Sequence, residues 1–285
     1  MTGSAENTSD AIDAWTYALD LSRPYFTAPA AREPPIEFAV EAKRIGMVVR
    51  QHHETVPGDE NPDEGGHEAA LPDDLDAWVE HARAAVDSGL TLLERQLSTA
   101  SFPQTRVAEA QALVRRRAAY LGRIDELADS LGDDLGVRIH ARRNLALSDV
   151  SRSSTGTFAI VAESENKAPG DELASPLRDV ASMLRSFSYA SATLTASVEK
   201  TSDMPTRELR AARWERDVRA NFLEGYLASP DDDAPGILPE EPESVSALIA
   251  LFETDRAFFD LSNELTNRPS WAWIPMRGIA KLLTR

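Results

Sequence analysis

Apolar residues recur along this chain mostly at helical spacing, with few stretches of strict alternation. Ser9 can cap a first helix that places Ile12, Trp15, Ala18 and Leu19 on one face. Pro34 and Pro35 open a second helix over roughly 36 to 54, with Phe38, Ile45 and Val49 inward. A long helix follows from Pro72 to Leu97, its stripe formed by Leu75, Trp78, Val79, Ala82, Val86, Leu90 and Leu93. Asp73, Asp74 and Asp76 sit in its first turn, where negative charge opposes the helix dipole favourably. Another helix spans about 104 to 131 and stops near Gly132. Further helices are predicted over roughly 176 to 199, 205 to 228 and 243 to 266, and Pro275 opens a last one to Arg285.

The pattern breaks in three places. Val137 to His140 and Phe158 to Ala162 are short alternating segments separated by Ser153, Ser154, Thr155 and Gly156, which reads as a small hairpin. Residues 56 to 71 and 229 to 241 are rich in Asp, Glu, Pro and Gly and read as acidic loops, and residues 1 to 8 as a flexible tail. No repeat or heptad array is present. The expected architecture is a single, mainly α domain over 1–285 with one small β element.

Composition narrows the function. A net charge of −17 disfavours nucleic acid and anionic membranes, both of which it would repel. Of thirty basic residues only Lys43, Lys167, Lys200 and Lys281 are lysine. An acidic, lysine-poor, cysteine-free chain suits a protein solvated in concentrated salt, the reading preferred over a GC-rich genome with no special habitat. The absence of cysteine removes disulfides, thiolate zinc sites and thiol nucleophiles. The polar start is neither a signal nor a transit peptide, and no apolar run approaches the ~18 residues of a membrane span, so a cytoplasmic location is expected. His52 and His53 are neighbours on a helix and point about 100° apart, so they do not chelate together; a surface or packing role is expected. His67 is expected to be solvated. Asp231 to Asp233 lack the alternate-position ligands of a calcium loop. Arg115, Arg116 and Arg117 are expected to make surface ion pairs.

Two stretches are more specific: Ser175-Pro-Leu-Arg-Asp-Val-Ala-Ser-Met-Leu-Arg-Ser-Phe-Ser-Tyr189 and Asn263-Glu-Leu-Thr-Asn-Arg-Pro-Ser-Trp-Ala-Trp-Ile-Pro275. With Asp13–Asp20, Ile45-Gly46 and His53, Asp74–His81 and Trp214–Tyr226, they fall in the order of the large lobe of a maltokinase, a relative of the aminoglycoside phosphotransferases. The resemblance implies the isolated helical C-terminal lobe of a protein-kinase-like fold. It also implies a role around trehalose, maltose or glucan metabolism. The family's catalytic loop reads His-Gly-Asp-Leu-His-Leu-Gly-Gln, and its aspartate takes the proton of the sugar hydroxyl. Here the matching loop is His140-Ala-Arg-Arg-Asn144, with Arg142 at the aspartate position. A guanidinium with a pKa above about 12 cannot act as a base. Ala162 falls where the family has its metal-binding aspartate, and nothing before residue 13 resembles the ATP-holding lobe. Asp149, Glu163 and Glu165 are the carboxylates that could stand in from displaced positions.

The resemblance therefore implies a pseudokinase without metal or cofactor. It would bind a maltose- or trehalose-type sugar, or a partner such as trehalose synthase or an active maltokinase. Its alternative is half of a split maltokinase, making maltose 1-phosphate with ATP and Mg²⁺ once another chain supplies the missing lobe. A third is a structural remnant without ligand. Candidate ligand-binding residues are Arg178, Asp179 and Arg185 in the first stretch, where an Arg–Asp pair that only holds the helix is the alternative. In the second stretch they are Glu264, Asn267, Arg268 and Trp271, since sugar pockets set paired donors and acceptors against a flat aromatic surface. The competing reading there is a rigid turn built by Pro269, Trp271, Trp273 and Pro275, with Trp273 the more structural tryptophan.

Overall fold

The computed structural model describes residues 11–29, 32, 34–55, 67–99, 102–142, 144–161, 173–197, 204–228 and 236–283. In chain order the elements are β1 (Ile12–Asp13), α1 (Ala14–Thr27), α2 (Phe38–Glu54), β2 (Glu68–Ala69), α3 (Pro72–Leu97), α4 (Val107–Arg115) and α5 (Arg117–Asp129). There follow β3 (Val137–Arg138), β4 (Val150–Arg152), β5 (Phe158–Ile160), α6 (Leu177–Ser197), α7 (Met204–Leu227), α8 (Pro242–Asn267) and α9 (Trp273–Leu282). The protein is mainly α with small sheets. No helix among the described residues is long and apolar enough to cross a membrane.

The chain folds as two compact units. The first holds α1, α2, α7, the sheet β1-β4-β5 and the later part of α6 from Ser186 onward. Its core is aromatic: Trp214 stacks on Phe38 with ring centres 5.9 Å apart, and Phe187 meets the edges of Phe38 and Phe222. Trp214 and Phe38 are fully buried. Trp214 satisfies its indole N–H on the Ser22 hydroxyl at 2.9 Å, which removes the main cost of burying an indole. Helices α2 and α7 pack with backbones almost touching at Gly46 and Gly225. A Cβ at Gly225 would overlap the Lys43 carbonyl oxygen, and one at Gly46 would lie 2.8 Å from the Tyr226 nitrogen. His53 is fully buried beside this contact and pairs with the Tyr226 hydroxyl at 3.0 Å, a packing role.

The second unit holds α3, α4, α5, α8, α9, the sheet β2-β3 and α6 up to Arg185. Helix α8 is its spine. Phe252 meets Trp78 of α3 at 5.1 Å and Phe258 meets Tyr120 of α5 at 5.2 Å. Burial pushes the Tyr120 phenol pKa up and the Arg277 guanidinium pKa down. Arg117 pairs with Asp87 and Glu94 at the surface, as expected for the basic run.

Four local expectations need correction. The first helix is capped by Asp13, whose carboxylate accepts the Thr16 amide at 2.8 Å; Ser9 lies outside the described residues. Ile12 belongs to β1 instead, paired with Arg152. The buried face of α1 is therefore Ala14, Ala18, Ser22, Tyr25 and Phe26, with Trp15 and Leu19 only half-buried.

The hairpin joins β4 to β5 through Ser153–Thr157, not Val137–His140 to Phe158–Ala162. Val137 and Arg138 pair with Glu68 and Ala69, where Arg138 bridges Glu68 at 2.8 Å and Asp74 at 2.9 Å. These ion pairs tie β3 to β2 and to the start of α3, at the end of the expected acidic loop. The helix expected over 104 to 131 bends at Arg116, because α4 packs on α9 and α3 while α5 packs on α3 and α8. The last helix begins at Trp273, two residues before Pro275.

Candidate functional site

Most of the candidate residues fall in the second unit, on three pieces of chain: the loop 139–144, the first turns of α6, and α8 with the turn after it. The loop is hung on the start of α6. Ile139 and Ala174 exchange backbone hydrogen bonds of 2.9 and 2.8 Å, and the Arg142 amide donates to Asp179 Oδ2 at 2.9 Å. Asp179 has no exposed surface. Its carboxylate thus fixes the loop's path from inside, while His140 and Asn144 are exposed and Arg142 is half-buried.

Helix α8 presents a ribbon of polar residues at i, i+4 spacing, which puts them on one face. Arg256 donates from Nε to Asp260 at 2.8 Å and from Nη1 to Asn144 Oδ1, tying the loop's end to α8. Asp260 also faces Arg185 Nε at 3.5 Å. Both Asp260 and Arg185 are buried. One step further on, Glu264 is 1% exposed and binds Arg268 Nη2 at 2.6 Å. Arg268 lies over the Trp271 ring at 5.3 Å, and Trp271 is 37% exposed. Asn267 donates to Asn263 at 2.7 Å, both at the surface. Trp273 is half-buried beneath Arg106, consistent with the more structural role.

Arg178 joins neither group. It binds Asp255 at 3.0 Å and lies over Phe252, and the same carboxylate takes His81 Nδ1 at 2.9 Å. The structure thus brings Arg185, Glu264, Asn267, Arg268 and Trp271 along α8, and Asp179 with Arg142 at the loop. Asp149 belongs to the first unit, where its side chain accepts the Ala146 amide at 2.9 Å. Glu163 and Glu165 lie outside the described residues. Among those described, no group of three or more His, Asp or Glu could hold a metal ion.

Sequence reasoning missed Asp255, Arg256, Asp260 and His81. The Arg256–Asp260 spacing was a visible signal, but i, i+4 pairs occur on most exposed helices and single out none.

No family model matches the chain. Solved structures of a glucosamine kinase do resemble it. The complex with glucosamine, ADP and inorganic phosphate is 18% identical, with a TM-score of 0.69 over 97% of this chain. Crystal form B gives 17%, 0.70 and 97%, and crystal form A gives 20%, 0.67 and 96%. This chain spans 59–60% of the length of those proteins. Identities this low establish the architecture and nothing finer: the chain has the kinase-like fold of these glucosamine kinase structures.

Proposed function

We propose that this chain is a sugar-binding, non-catalytic relative of the sugar kinases, acting in maltose, trehalose or glucan metabolism by holding a sugar or a partner enzyme. The observation that carries the reading is the state of the carboxylates around the loop. Asp179 is spent on the Arg142 amide, Asp255 on Arg178 and His81, and Asp260 on Arg256 and Arg185. Each is engaged by cations or backbone donors and is poorly placed to receive a hydroxyl proton or grip magnesium. By resemblance, the base position itself carries Arg142. These residues do not fit an ATP–Mg²⁺ centre.

The ribbon from Asn263 to Trp271 supplies what a sugar needs: paired amide donors and acceptors, a carboxylate–guanidinium pair and a partly open indole. The purified chain should bind maltose or trehalose in calorimetry and show no ATP-dependent phosphorylation of maltose above background. Turnover would overturn the non-catalytic half of the reading, and silence with both sugars the binding half. Trp271→Ala should weaken sugar binding about tenfold, a loss typical of one stacking face, on the order of 1.4 kcal/mol. The ring is more covered than open, so the melting temperature should also fall by a few degrees, and binding is compared well below it.

A second reading, half of a split kinase, is favoured by Trp15 and Leu19 on α1, which the first unit leaves only half covered. A chain carrying an ATP-binding lobe would cover them. Reconstitution of maltose phosphorylation on mixing the two chains is its test.

A further inference from the structure

The outer face of α8 and its exit carry one arrangement twice. Arg256 lies 5.2 Å over the Phe259 ring and is held through Nε by Asp260 at 2.8 Å. Arg268 lies 5.3 Å over the Trp271 ring and is held through Nη2 by Glu264 at 2.6 Å. In both, a buried carboxylate stands one turn from the arginine, and the aromatic follows three residues after it. Both rings remain partly open to solvent, Phe259 being 51% and Trp271 37% exposed. Among the large apolar side chains of α8, Phe259 alone is exposed, so the core does not account for it.

A cation fixed over each ring sets its orientation, and a ligand stacking on the uncovered part finds it preorganised. Each of these arginines is already engaged by a buried carboxylate, which favours a neutral ligand over an anion. The stretch between the rings is polar. Phe259, Asn263 and Asn267 follow at i, i+4 and i+8 and so share one face. Asn267 donates to Asn263 Oδ1 at 2.7 Å, which leaves the Asn263 amide nitrogen to donate and the Asn267 carbonyl oxygen to accept. From Phe259 to Asn267 the axis runs about 12 Å at ~1.5 Å per residue, with Trp271 beyond it. Two separate rings around an amide pair differ from the contiguous apolar patch that a protein partner covers. A chain of sugar units, apolar on its ring faces and hydroxylated at its edges, matches the alternation.

We propose that this face binds a neutral oligosaccharide longer than a disaccharide, laid along α8 with one sugar unit on Trp271, hydroxyls on Asn263 and Asn267, and a further unit on Phe259. This rests on the sugar-binding reading above and adds the ligand's length and a second stacking ring. Phe259 carries the extension, and that reading makes no use of it. A disaccharide on Trp271 and the amides stops short of Phe259, and only a longer chain reaches both rings.

The test is calorimetric titration of the full chain with maltose, maltohexaose and cellohexaose, at low and physiological ionic strength. At least one hexasaccharide should bind about tenfold tighter than maltose, the gain expected from one more stacking contact. The two linkages tell a curling chain from an extended one, and a gain with either supports the proposal. Because the ligand is neutral, the gain should persist at physiological salt. Phe259→Ala should weaken hexasaccharide binding by about the same factor. Asn263→Ala, also at an exposed position, should weaken it in part and decides the matter if the first variant fails to fold. Equal affinity of the wild type for maltose and both hexasaccharides would overturn the extended site and leave the sugar-binding reading standing. A gain that survives in both variants, or that vanishes as salt rises, would overturn the role of this face. Self-association in analytical ultracentrifugation that Phe259→Ala abolishes would overturn it too, as a contact between copies of the chain. No binding of any of the three sugars would overturn this proposal and the reading beneath it together.

Discussion

Gly225→Ala should destabilise the protein by about 2 kcal/mol and lower its melting temperature by about 4–8 °C. Alanine ordinarily favours a helix over glycine by up to about 1 kcal/mol, so the expected sign runs against propensity. The reason is the contact between α2 and α7. The added methyl meets the Lys43 carbonyl oxygen, a backbone atom inside a helix that cannot swing aside. The helices must separate, and the aromatic packing of Phe222 and Tyr226 beside them must loosen. Gly122 of α5 has nothing within 4 Å of a would-be Cβ, so Gly122→Ala should instead stabilise by roughly 0.5–1 kcal/mol. Gly46 faces the same contact, and the double variant with Gly46→Ala should cost less than the two single changes together, because one separation relieves both clashes. Thermal unfolding of the four variants decides the matter. A stabilised Gly225→Ala would show that the helices are not this close.

Asp179→Ala should cost about 1–3 kcal/mol and release the loop 139–144. The fully buried carboxylate accepts the part-buried Arg142 amide, and alanine removes that acceptor. Amide hydrogen exchange at Arg142 should rise sharply, well beyond the change at helical amides of α3. Asp179→Asn keeps an acceptor oxygen of the same shape and should recover much of the protection. Equal exchange in the aspartate and alanine forms would mean the loop holds its path by other contacts, and Asp179 would return to the group of ligand-binding candidates.

Much of the helical framework could be read directly. Helix α3 begins at Pro72 and ends at Leu97 as its stripe predicts, and α2, α6, α7 and α8 fall within two residues of expectation. The reason for α2, α3 and α7 is that each buries one face, and 3.6-residue periodicity over many turns survives any particular partner; α6 and α8 are buried on nearly every side, and Pro176 and Pro242 mark their starts. The β elements were harder. Strands of two or three residues carry too few alternations to declare themselves, and their partners lie far along the chain: Glu68 with Arg138, Ile12 with Arg152. The candidate site divides in the same way. Glu264, Arg268 and Trp271 sit together because they are consecutive turns of one helix and its exit. The clustering of Asn144, Arg185 and Arg256 about Asp260 joins three segments and had no local signature.

Sequence alone determined that this chain would be helical, strongly acidic and free of thiol chemistry. Those are properties of residue type and local spacing, which need no partner to express themselves. Only the tertiary structure decided which charges meet. It committed Asp179 to a backbone amide, Asp255 to Arg178 and His81, and Asp260 to two guanidinium groups, because burial makes an unpaired charge costly and selects whichever cation the fold brings within reach.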